Sequence, residues 1–443
     1  MKALIFTYIL TYGGAFVALF NPFIGLLIYI GFAILKPDVL WYWAVPQGNY
    51  SRIVALALIS GWIVHGCGSW EFRRARGIVL TLLGYWGWSV LSALNAQDQG
   101  LAFSFVEELT KIVLPFLVGI TTIDSVRRLY QVIWVIVLSY GYLAFECNRT
   151  YYEGFNIVQA GEIAGFGGGS MAISMLAGLP VAFFLGFSAK AWWSRSLAFL
   201  CVALMGHVVL FSFSRGGVLG LFAIGLTAFF FIPKKPLHLA IFLAAILLMF
   251  KLAGPEVRQR FSTTFASNEE RDESAQSRLD LWADCLDSIA RRPWLGVGPF
   301  NWRLIAHEYG WSPGKEAHTT WLQVAAEAGI PAVAYLILFY ALTSTRLWSV
   351  ARGRHSGFEP AQRYAAAMVI SSIAGFVVTA QFVTIEGLET PYYVAMLGAA
   401  LLKLSPSDVN TATQSWASTT DDNLAPVNLS ASESESSQGA VCS

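Results

Sequence analysis

Long apolar segments recur along nearly the whole 443-residue chain, separated by short polar stretches. Their lengths are close to the roughly 17–25 residues that a helix needs to cross a bilayer. The apolar runs are continuous rather than alternating, which argues against the strands of an outer-membrane barrel. The pattern predicts an all-α polytopic integral membrane protein with about 12–13 transmembrane helices. They are expected near residues 3–20, 22–36, 52–66, 77–94, 102–120, 128–146, 171–188, 194–213, 216–232, 237–253, 322–345, 364–383 and 390–403.

Two features in the N-terminal part of the chain depart from the pattern of separate, uncharged apolar segments. Only Asn21 and Pro22 separate the first two predicted spans, and Glu107, Glu108 and Lys111 interrupt the span at 102–120. The first apolar run is not followed by a small-residue cleavage site, so we interpret it as a retained span rather than a signal peptide.

Basic residues are concentrated in alternate short loops, which predicts the orientation. These loops are EFRRAR (71–76), DSVRRL (124–129), AKAWWSR (189–195), PKKP (233–236) and TRLWSVARGRH (345–355). The opposite short loops hold isolated basic residues such as Lys36, Arg52 and Arg149. By the positive-inside rule the basic loops are cytoplasmic, so the long loop 254–317 lies on the extracytoplasmic side.

The amino-acid composition is that of a membrane protein and limits the kinds of site that the chain can carry. Hydrophobic residues make up 56% of the chain and the mean hydropathy is +0.55, which excludes a soluble domain of this length. The net charge of +1 says nothing about a polyanionic partner, because the charges are segregated by loop, and we expect no nucleic-acid partner. Five scattered cysteines without a C-x-x-C pair predict neither a metal site nor a disulfide framework. Residues 404–443, rich in Ser, Thr and Asn and without Lys or Arg, predict a disordered cytoplasmic tail.

The apolar stretch 201–231 contains one turn signal, SFSRGG, and is too long for a single crossing. We expect Ser214 to cap the following helix and Gly216 and Gly217 to leave its first N–H groups uncovered. Arg215 then lies at the outer mouth of a hairpin. It either extends to lipid phosphates or serves as a phosphate-binding guanidinium.

The long loop contains a second group of candidates. Residues 274–290 have helical periodicity, which predicts that Leu279, Trp282, Leu286 and Ile289 share one face. Taken alone, this is typical of an amphipathic helix on the membrane surface with its arginines solvated. Pro293 ends that helix, and GVGP (296–299) predicts a turn.

Three segments, in this order, resemble the O-antigen ligase and O-antigen polymerase family of bacterial polytopic membrane glycosyltransferases. They are FSFSRGGVLGL, SRLDLWADCLDSIARRPWLGVGPFNW and AHTTWLQVAAEAGIPAVAYLILF. The N-terminal FNPFIGLLIYIGFAILKPDVLW also looks like a subgroup associated with exosortase systems. The family commonly has Asn or Ser where this chain has Thr319, and no role is carried to GFGGG (165–169). The resemblance divides the chain into an N-terminal transmembrane region (1–199), an O-antigen ligase-like domain (200–403) and the tail.

The resemblance implies a reaction in the bacterial cytoplasmic (inner) membrane, with the active site facing the periplasm or exterior. A glycan on a polyprenyl diphosphate is transferred to an acceptor hydroxyl, and the polyprenyl diphosphate leaves. Arg215 and Arg278 are then expected to bind the diphosphate, and His318 to accept the proton of the acceptor. Secondary candidates are Thr319, Arg303 and Lys315. Glu327, partly within the membrane, needs a partner.

Several alternatives stay open at this point. The acceptor is a glycolipid such as lipid A–core, a growing glycan or a protein, corresponding to a ligase, a polymerase or a protein O-oligosaccharyltransferase. A lipid-linked glycan flippase or transporter is disfavoured, because the unusual residues gather at one face around a single loop rather than at the bilayer midplane. Metal-dependent transferases carry an acidic pair in an early external loop. Residues 37–50 contain only Asp38, so we expect no metal requirement and no other cofactor.

Overall fold

The computed structural model describes residues 1–160, 168–236, 273–354, 357–385 and 387–404, and those residues contain helices and no strand. The expected all-α polytopic fold is confirmed. The described residues form thirteen helices of fourteen residues or more. They are α1 (Lys2–Phe20), α2 (Pro22–Leu35), α3 (Tyr50–Val64), α4 (Arg76–Leu94), α5 (Gln99–Thr122), α6 (Val126–Tyr152), α7 (Gly168–Ser188), α8 (Trp192–Phe211), α9 (Arg215–Phe231), α10 (Glu273–Arg291), α11 (Thr320–Ala351), α12 (Pro360–Thr379) and α13 (Thr390–Lys403).

Within the described ranges, eight helices are long and apolar enough to cross a membrane, and α3 and α9 are shorter apolar helices. The predicted span 237–253, the first part of the loop 254–317 and the tail from residue 405 lie outside the described residues. The orientation and the domain boundaries stay predictions.

The break between α1 and α2 is built from only two residues. Asn21 is extended (φ −140°), and its side-chain oxygen accepts a hydrogen bond from the Ile24 N–H at 3.3 Å. Pro22 occupies the first position of α2, where its missing N–H costs nothing. A capping side chain and a proline therefore suffice to separate the first two helices, as predicted.

The charged residues of α5 do not interrupt the helix. Glu107 pairs with Lys111 one turn later at 3.0 Å and with Arg52 of α3 at 3.1 Å. All three side chains are exposed, so these charges lie on the surface rather than in the core. These residues form one helix over Gln99–Thr122. It is not among the eight described helices that are long and apolar enough to cross a membrane, so its role as a span stays a prediction.

Glycines allow α9 to pack closely against α12. A Cβ on Gly220 would lie 2.4 Å from the Thr379 Cγ2 and 3.6 Å from the carbonyl oxygen of Gly375. Small residues at a helix crossing let the two backbones approach, which is a major source of packing energy between membrane helices. The crossing places the N-terminus of α9 against the loop after α12, where Gly216 contacts Phe382.

Helix α11 is broken at Gly329, which has φ 85° and ψ 171°, two residues before Pro331. The loop after α10 fills the break. The N–H groups of Val297 and Gly298 donate to the carbonyls of Ala326 and Glu327 at 3.0 and 2.8 Å. The Ile330 N–H in turn donates to the Pro293 carbonyl at 2.8 Å. The kinked helix and the loop therefore satisfy each other's backbone groups.

Helix α4 holds the same loop from the other side. The Ser92 hydroxyl donates to the Leu295 carbonyl at 2.6 Å, and the Trp88 indole N–H donates to the Trp294 carbonyl at 3.0 Å. The loop is thus clamped between α4 and α11. The turn predicted at 296–299 is confirmed, with Gly296 and Gly298 at φ 62° and 103°.

We expect Gly296→Ala and Gly329→Ala to lower the thermal unfolding temperature of the detergent-purified protein. Each added Cβ would lie 2.4 Å or less from backbone atoms across the clamp, and both positions have positive φ. The conformational cost alone is about 1–2 kcal/mol, and the backbone clash adds to it.

The matched control is Gly310→Ala. Gly310 has φ 85° but no heavy atom within 4 Å of an added Cβ, so this variant pays the conformational cost only. If Gly296→Ala were no more destabilising than Gly310→Ala, the clamp would not be a close backbone contact.

Candidate functional site

Helix α10 packs into the folded loop with a face different from the predicted one. Leu281, Cys285 and Ile289 are buried, whereas Leu279 and Leu286 are 45% and 55% exposed. Leu279 and Leu286 lie on the apolar face that was predicted for a membrane surface, and the protein leaves them exposed. The reason is tertiary: α10 packs against the first turns of α11, and that partner, rather than a membrane surface alone, determines which face is covered.

Side chains of α10 bind the segment that leads into α11. The Trp282 indole N–H donates to the carbonyl of Ala317 at 2.9 Å. Asp284 accepts a hydrogen bond from the Trp311 indole N–H at 2.8 Å. These bonds place Arg278, one turn before Trp282, beside the start of α11.

His318 lies at the entrance to α11 in a left-handed backbone conformation, with φ 53°. A residue with a side chain adopts this region at a cost of order 1 kcal/mol and keeps it only where neighbouring contacts fix the chain. On one side, the Ala317 N–H donates to the Gln323 side-chain oxygen at 2.7 Å. On the other, the Thr320 N–H donates to the Ala380 carbonyl at 2.9 Å. His318 is therefore held from both sides.

Burial and two nearby cations change the acidity of His318. Burial of the half-exposed ring, then the charges of Arg278 and Lys315, lower the pKa of His318 to about 4. Both effects disfavour the charged ring. His318 is neutral at neutral pH. The structure also brings His318, Arg278 and Lys315 together, as three of the predicted site residues.

The buried carboxylate of Glu327 has hydrogen-bond partners, as the sequence analysis expected. Its side chain is 1% exposed, and its two oxygens accept hydrogen bonds from the Phe300 N–H at 2.8 Å and the Gln323 amide at 2.6 Å. Gln323 was not among the predicted residues, although its position four residues before Glu327 places both on one helix face. Since Gln323 also binds Ala317, a hydrogen-bonded chain runs from Glu327 to the residue preceding His318.

Arg303 and Lys315 differ in what surrounds them. Arg303 pairs with Glu316 at 2.6 Å and lies over the ring of Phe300, 5.1 Å from its centroid. Its charge is therefore largely balanced within the loop. Lys315 lies over the ring of Trp311 at 5.8 Å and contributes to the electrostatic field at His318.

Thr319 is buried immediately beside His318. It occupies the N-cap position of α11 but makes no side-chain cap hydrogen bond. Among the residues that the structure describes, its hydroxyl oxygen has no hydrogen-bond partner, and the same holds for the Trp321 indole N–H and the Thr384 hydroxyl. Such buried groups are costly unless satisfied, and Thr319 is the one that directly follows His318 in the chain.

Arg215 begins α9, and Ser214 caps this helix as predicted, its hydroxyl accepting from the Gly217 N–H at 3.1 Å. The expectation that the Gly217 N–H is uncovered was therefore wrong. The neighbouring Gly216 contacts Phe382, and the next residue, Val383, accepts a hydrogen bond from the Thr320 hydroxyl at 2.9 Å. Arg215 thus lies at the same end of the bundle as His318, while its convergence with Arg278 stays a prediction.

Two further expectations from the sequence concern the GFGGG segment and a metal ion. GFGGG (165–169) lies mostly outside the described residues. Within the described part of the chain, no group of three or more His, Cys, Asp or Glu side chains is arranged to hold a metal ion. The absence of a metal requirement stays a prediction.

We expect Glu327→Ala to destabilise the loop by about 1–3 kcal/mol for each donor left unsatisfied. Glu327→Gln should cost less, because its carbonyl oxygen can still accept one of the two hydrogen bonds. Thermal unfolding and protease resistance of the loop measure both effects. Glu308→Ala, which removes an exposed carboxylate from the same loop, is the control and should leave both unchanged. Equal stability of the Ala variant and the wild type would show that the carboxylate does not hold the loop.

The sequence was compared with known protein families, and one match covers the segment that contains the candidate site residues. Residues 200–337, which include Arg215, Arg278 and His318, match the O-antigen ligase family. Residues 1–186 match DUF5935, a family of unknown function. No curated protein matches the chain. The resemblance inferred from the three segments is therefore confirmed, and this polytopic membrane protein carries an O-antigen ligase domain over residues 200–337.

Proposed function

We propose that this protein transfers a glycan from a polyprenyl-diphosphate carrier to an acceptor hydroxyl on the extracytoplasmic face of the bacterial cytoplasmic membrane. The O-antigen ligase domain supports membrane glycan transfer in general. The observation that carries the finer proposal is the placement of a neutral histidine beside Arg278 and Lys315, at the entrance to a membrane helix. A lipid diphosphate and a water-borne acceptor would meet at such an entrance.

The reaction requires one bond to form and one to break at the anomeric carbon. The acceptor oxygen forms a new glycosidic bond, and the bond from the sugar to the diphosphate oxygen breaks. The acceptor proton passes to a ring nitrogen of His318, which must be neutral to receive it. The polyprenyl diphosphate leaves with additional negative charge, which nearby cations stabilise.

The two cations that lower the pKa of His318 also suit the diphosphate. In the free protein, Arg278 and Lys315 disfavour a proton on the ring. A bound diphosphate would neutralise this positive field, so the pKa of His318 should rise when the donor binds. The histidine would then become a stronger base only with its substrate in place.

Arg215 provides a separate, permanently charged guanidinium at the start of α9. Its contacts through Gly216, Phe382 and Val383 link it to the same loop that fixes Thr320. We assign it to the diphosphate together with Arg278, because a guanidinium can bind a phosphate through two parallel hydrogen bonds. Following the family resemblance, we favour a ligase-type reaction.

The central test is glycan transfer by the purified protein in liposomes, with a lipid-linked glycan and an added acceptor. We expect His318→Ala and His318→Asn to lower turnover by about 10²–10⁴-fold, the usual contribution of a general base. Asn is the informative variant, because it retains an N–H donor and tolerates the left-handed backbone at this position.

The possible results separate three cases. An Asn variant near the wild-type rate would restrict His318 to hydrogen bonding and remove the base assignment. An Ala variant near that rate would remove His318 from the site. Movement of the lipid-linked glycan across the bilayer without transfer to any acceptor would contradict the transferase proposal and favour a transporter.

The pH dependence provides a second test. Below its pKa His318 is protonated and inactive, so the rate should fall on the acid side. The acid limb of the kcat/KM profile reports the pKa of His318 in the free protein, which is about 4. The acid limb of the kcat profile reports the pKa of His318 in the donor-bound state. We expect the kcat limb at higher pH. Lys315→Gln should move the acid limb of kcat/KM to higher pH, because it removes one cation near His318. If the limbs of kcat and kcat/KM fell at the same pH, and neither moved in Lys315→Gln, the proposed effect of the cations on the pKa of His318 would be contradicted.

A further inference from the structure

The loop that follows α12, residues 380–385, holds the start of α11. The Thr320 N–H donates to the Ala380 carbonyl at 2.9 Å, and the Thr320 hydroxyl donates to the Val383 carbonyl at 2.9 Å. The same hydroxyl accepts a hydrogen bond from the Ile385 N–H at 3.2 Å. Three hydrogen bonds therefore join one buried threonine to a loop that is distant in sequence.

These bonds take the place of a side-chain cap on α11. The N-cap residue, Thr319, makes no cap hydrogen bond with its own side chain. His318, directly before it, has the left-handed φ of 53°, which a residue with a side chain keeps only where surrounding contacts determine it. Thr320 lies two residues after His318. The position of the histidine backbone therefore depends on residues 380–385.

The other side of this loop packs against α9. A Cβ on Gly216 would lie 3.2 Å from the Phe382 Cβ and 3.4 Å from its Cδ2, so Phe382 lies against the backbone of the first turn of α9. Gly216 directly follows Arg215, and the hydroxyl of Ser214 accepts from the Gly217 N–H in the same turn. Phe382 thus contacts the turn that carries Arg215.

The loop is fixed at both of its ends. The Phe382 N–H donates to the Thr379 carbonyl at 2.9 Å, and the Leu388 N–H donates to the Ile385 carbonyl at 3.4 Å. Thr379 is the last residue of α12, and its Cγ2 would lie 2.4 Å from a Cβ on Gly220 of α9. A segment held in this way can fix one helix relative to another, as supporting residues do around a functional site.

We propose that residues 380–385 form a third part of the transfer site, in which Thr320 and Phe382 are positioning residues that set the separation of His318 from Arg215. The inference rests on the proposed function, in which His318 accepts the proton and Arg215 binds the diphosphate. Both matched family segments end before this loop, at residues 186 and 337. Thr320 acts through His318, and Phe382 acts through the turn of Arg215.

The test uses the full-length protein in the liposome transfer assay. Thr320→Val removes both hydrogen bonds of the hydroxyl and keeps the N–H bond to Ala380. We expect kcat to fall by about 10²-fold, the usual cost of slightly misplacing a catalytic group. Binding of undecaprenyl diphosphate, measured by native mass spectrometry, should stay unchanged. Thr320→Ser keeps the hydroxyl and should recover most of the rate. A Val variant at the wild-type rate, or a Ser variant as slow as the Val variant, would overturn the proposal.

The matched control is Thr345→Val. Thr345 is an exposed threonine of the same helix, and its hydroxyl donates to the Ala341 carbonyl at 2.7 Å. This variant should leave kcat unchanged. An equal loss in Thr345→Val would assign the effect to valine in α11 rather than to the loop.

The pH profile separates positioning from a general loss of folded protein. If Thr320→Val displaces His318 from Arg278 and Lys315, these cations disfavour its protonation less, and the acid limb of kcat/KM should move to higher pH. Loss of folded protein alone would lower the rate and leave the limb in place. An unmoved limb would therefore contradict the role assigned to Thr320.

A double variant tests whether the two residues act through one loop. Phe382→Ala should also lower kcat, and Thr320→Val/Phe382→Ala should lose much less than the product of the two single losses. Losses that simply multiply would contradict a shared loop. If the wild type transferred no glycan, the proposed function would fail. If the wild type and Thr320→Val transferred it equally well, only the role of the loop would fail.

Discussion

The break in α11 is the constraint on which the site depends. A helix interrupted at Gly329 leaves backbone N–H and carbonyl groups without partners, and such groups are very costly in or near a bilayer. The loop 293–298 supplies those partners through its own backbone. This exchange fixes the loop to a membrane helix, and the loop in turn fixes α10. The hydrogen bonds of Trp282 and Asp284 then place α10, and with it Arg278, beside the start of α11.

The electrostatics at His318 follow from this arrangement. The backbone clamp brings one guanidinium and one ammonium near a ring that is already partly desolvated, and all three effects favour the neutral imidazole. The hydrogen-bonded chain from Glu327 through Gln323 to Ala317 then fixes the backbone just before the ring. A buried carboxylate that is costly in isolation thereby serves to orient the neighbouring histidine.

Much of the fold could be predicted because membrane helices are specified by length and composition. In the described residues, the helix ends fall within about six residues of the predicted spans. The two-residue break at Asn21 and Pro22 was predictable because capping and proline chemistry are local. The face of α10 that packs on the protein was not predicted: the sequence indicated the apolar face of Leu279 and Leu286, whereas Leu281 and Cys285 are the buried residues. Which stripe is covered depends on a partner helix distant in sequence.

The residues grouped around His318 were candidates from the sequence, but their electrostatics were not predictable. Sequence motifs indicated His318, Arg278 and Lys315, and the structure places them together. The lowered pKa of His318 depends on burial and on a charge 40 residues away, which no local pattern contains. Gln323 was missed for the same reason: its importance arises from two hydrogen bonds, one to Glu327 and one to the chain before His318.

The close contact between Gly220 and Gly375 fixes α9 near its charged end. Gly220 lies five residues, or roughly 7 Å along the helix, from Arg215. The side chains of Thr379 and Leu176 fill the space beside Gly220, so α9 cannot tilt about this point without displacing them. A tilt of about 10° would move the start of α9 by roughly 1 Å, a displacement large enough to alter a transfer rate by about 10²-fold. Substitutions that enlarge Gly220 or Leu176 can therefore change the alignment of Arg215 without touching any residue of the candidate site.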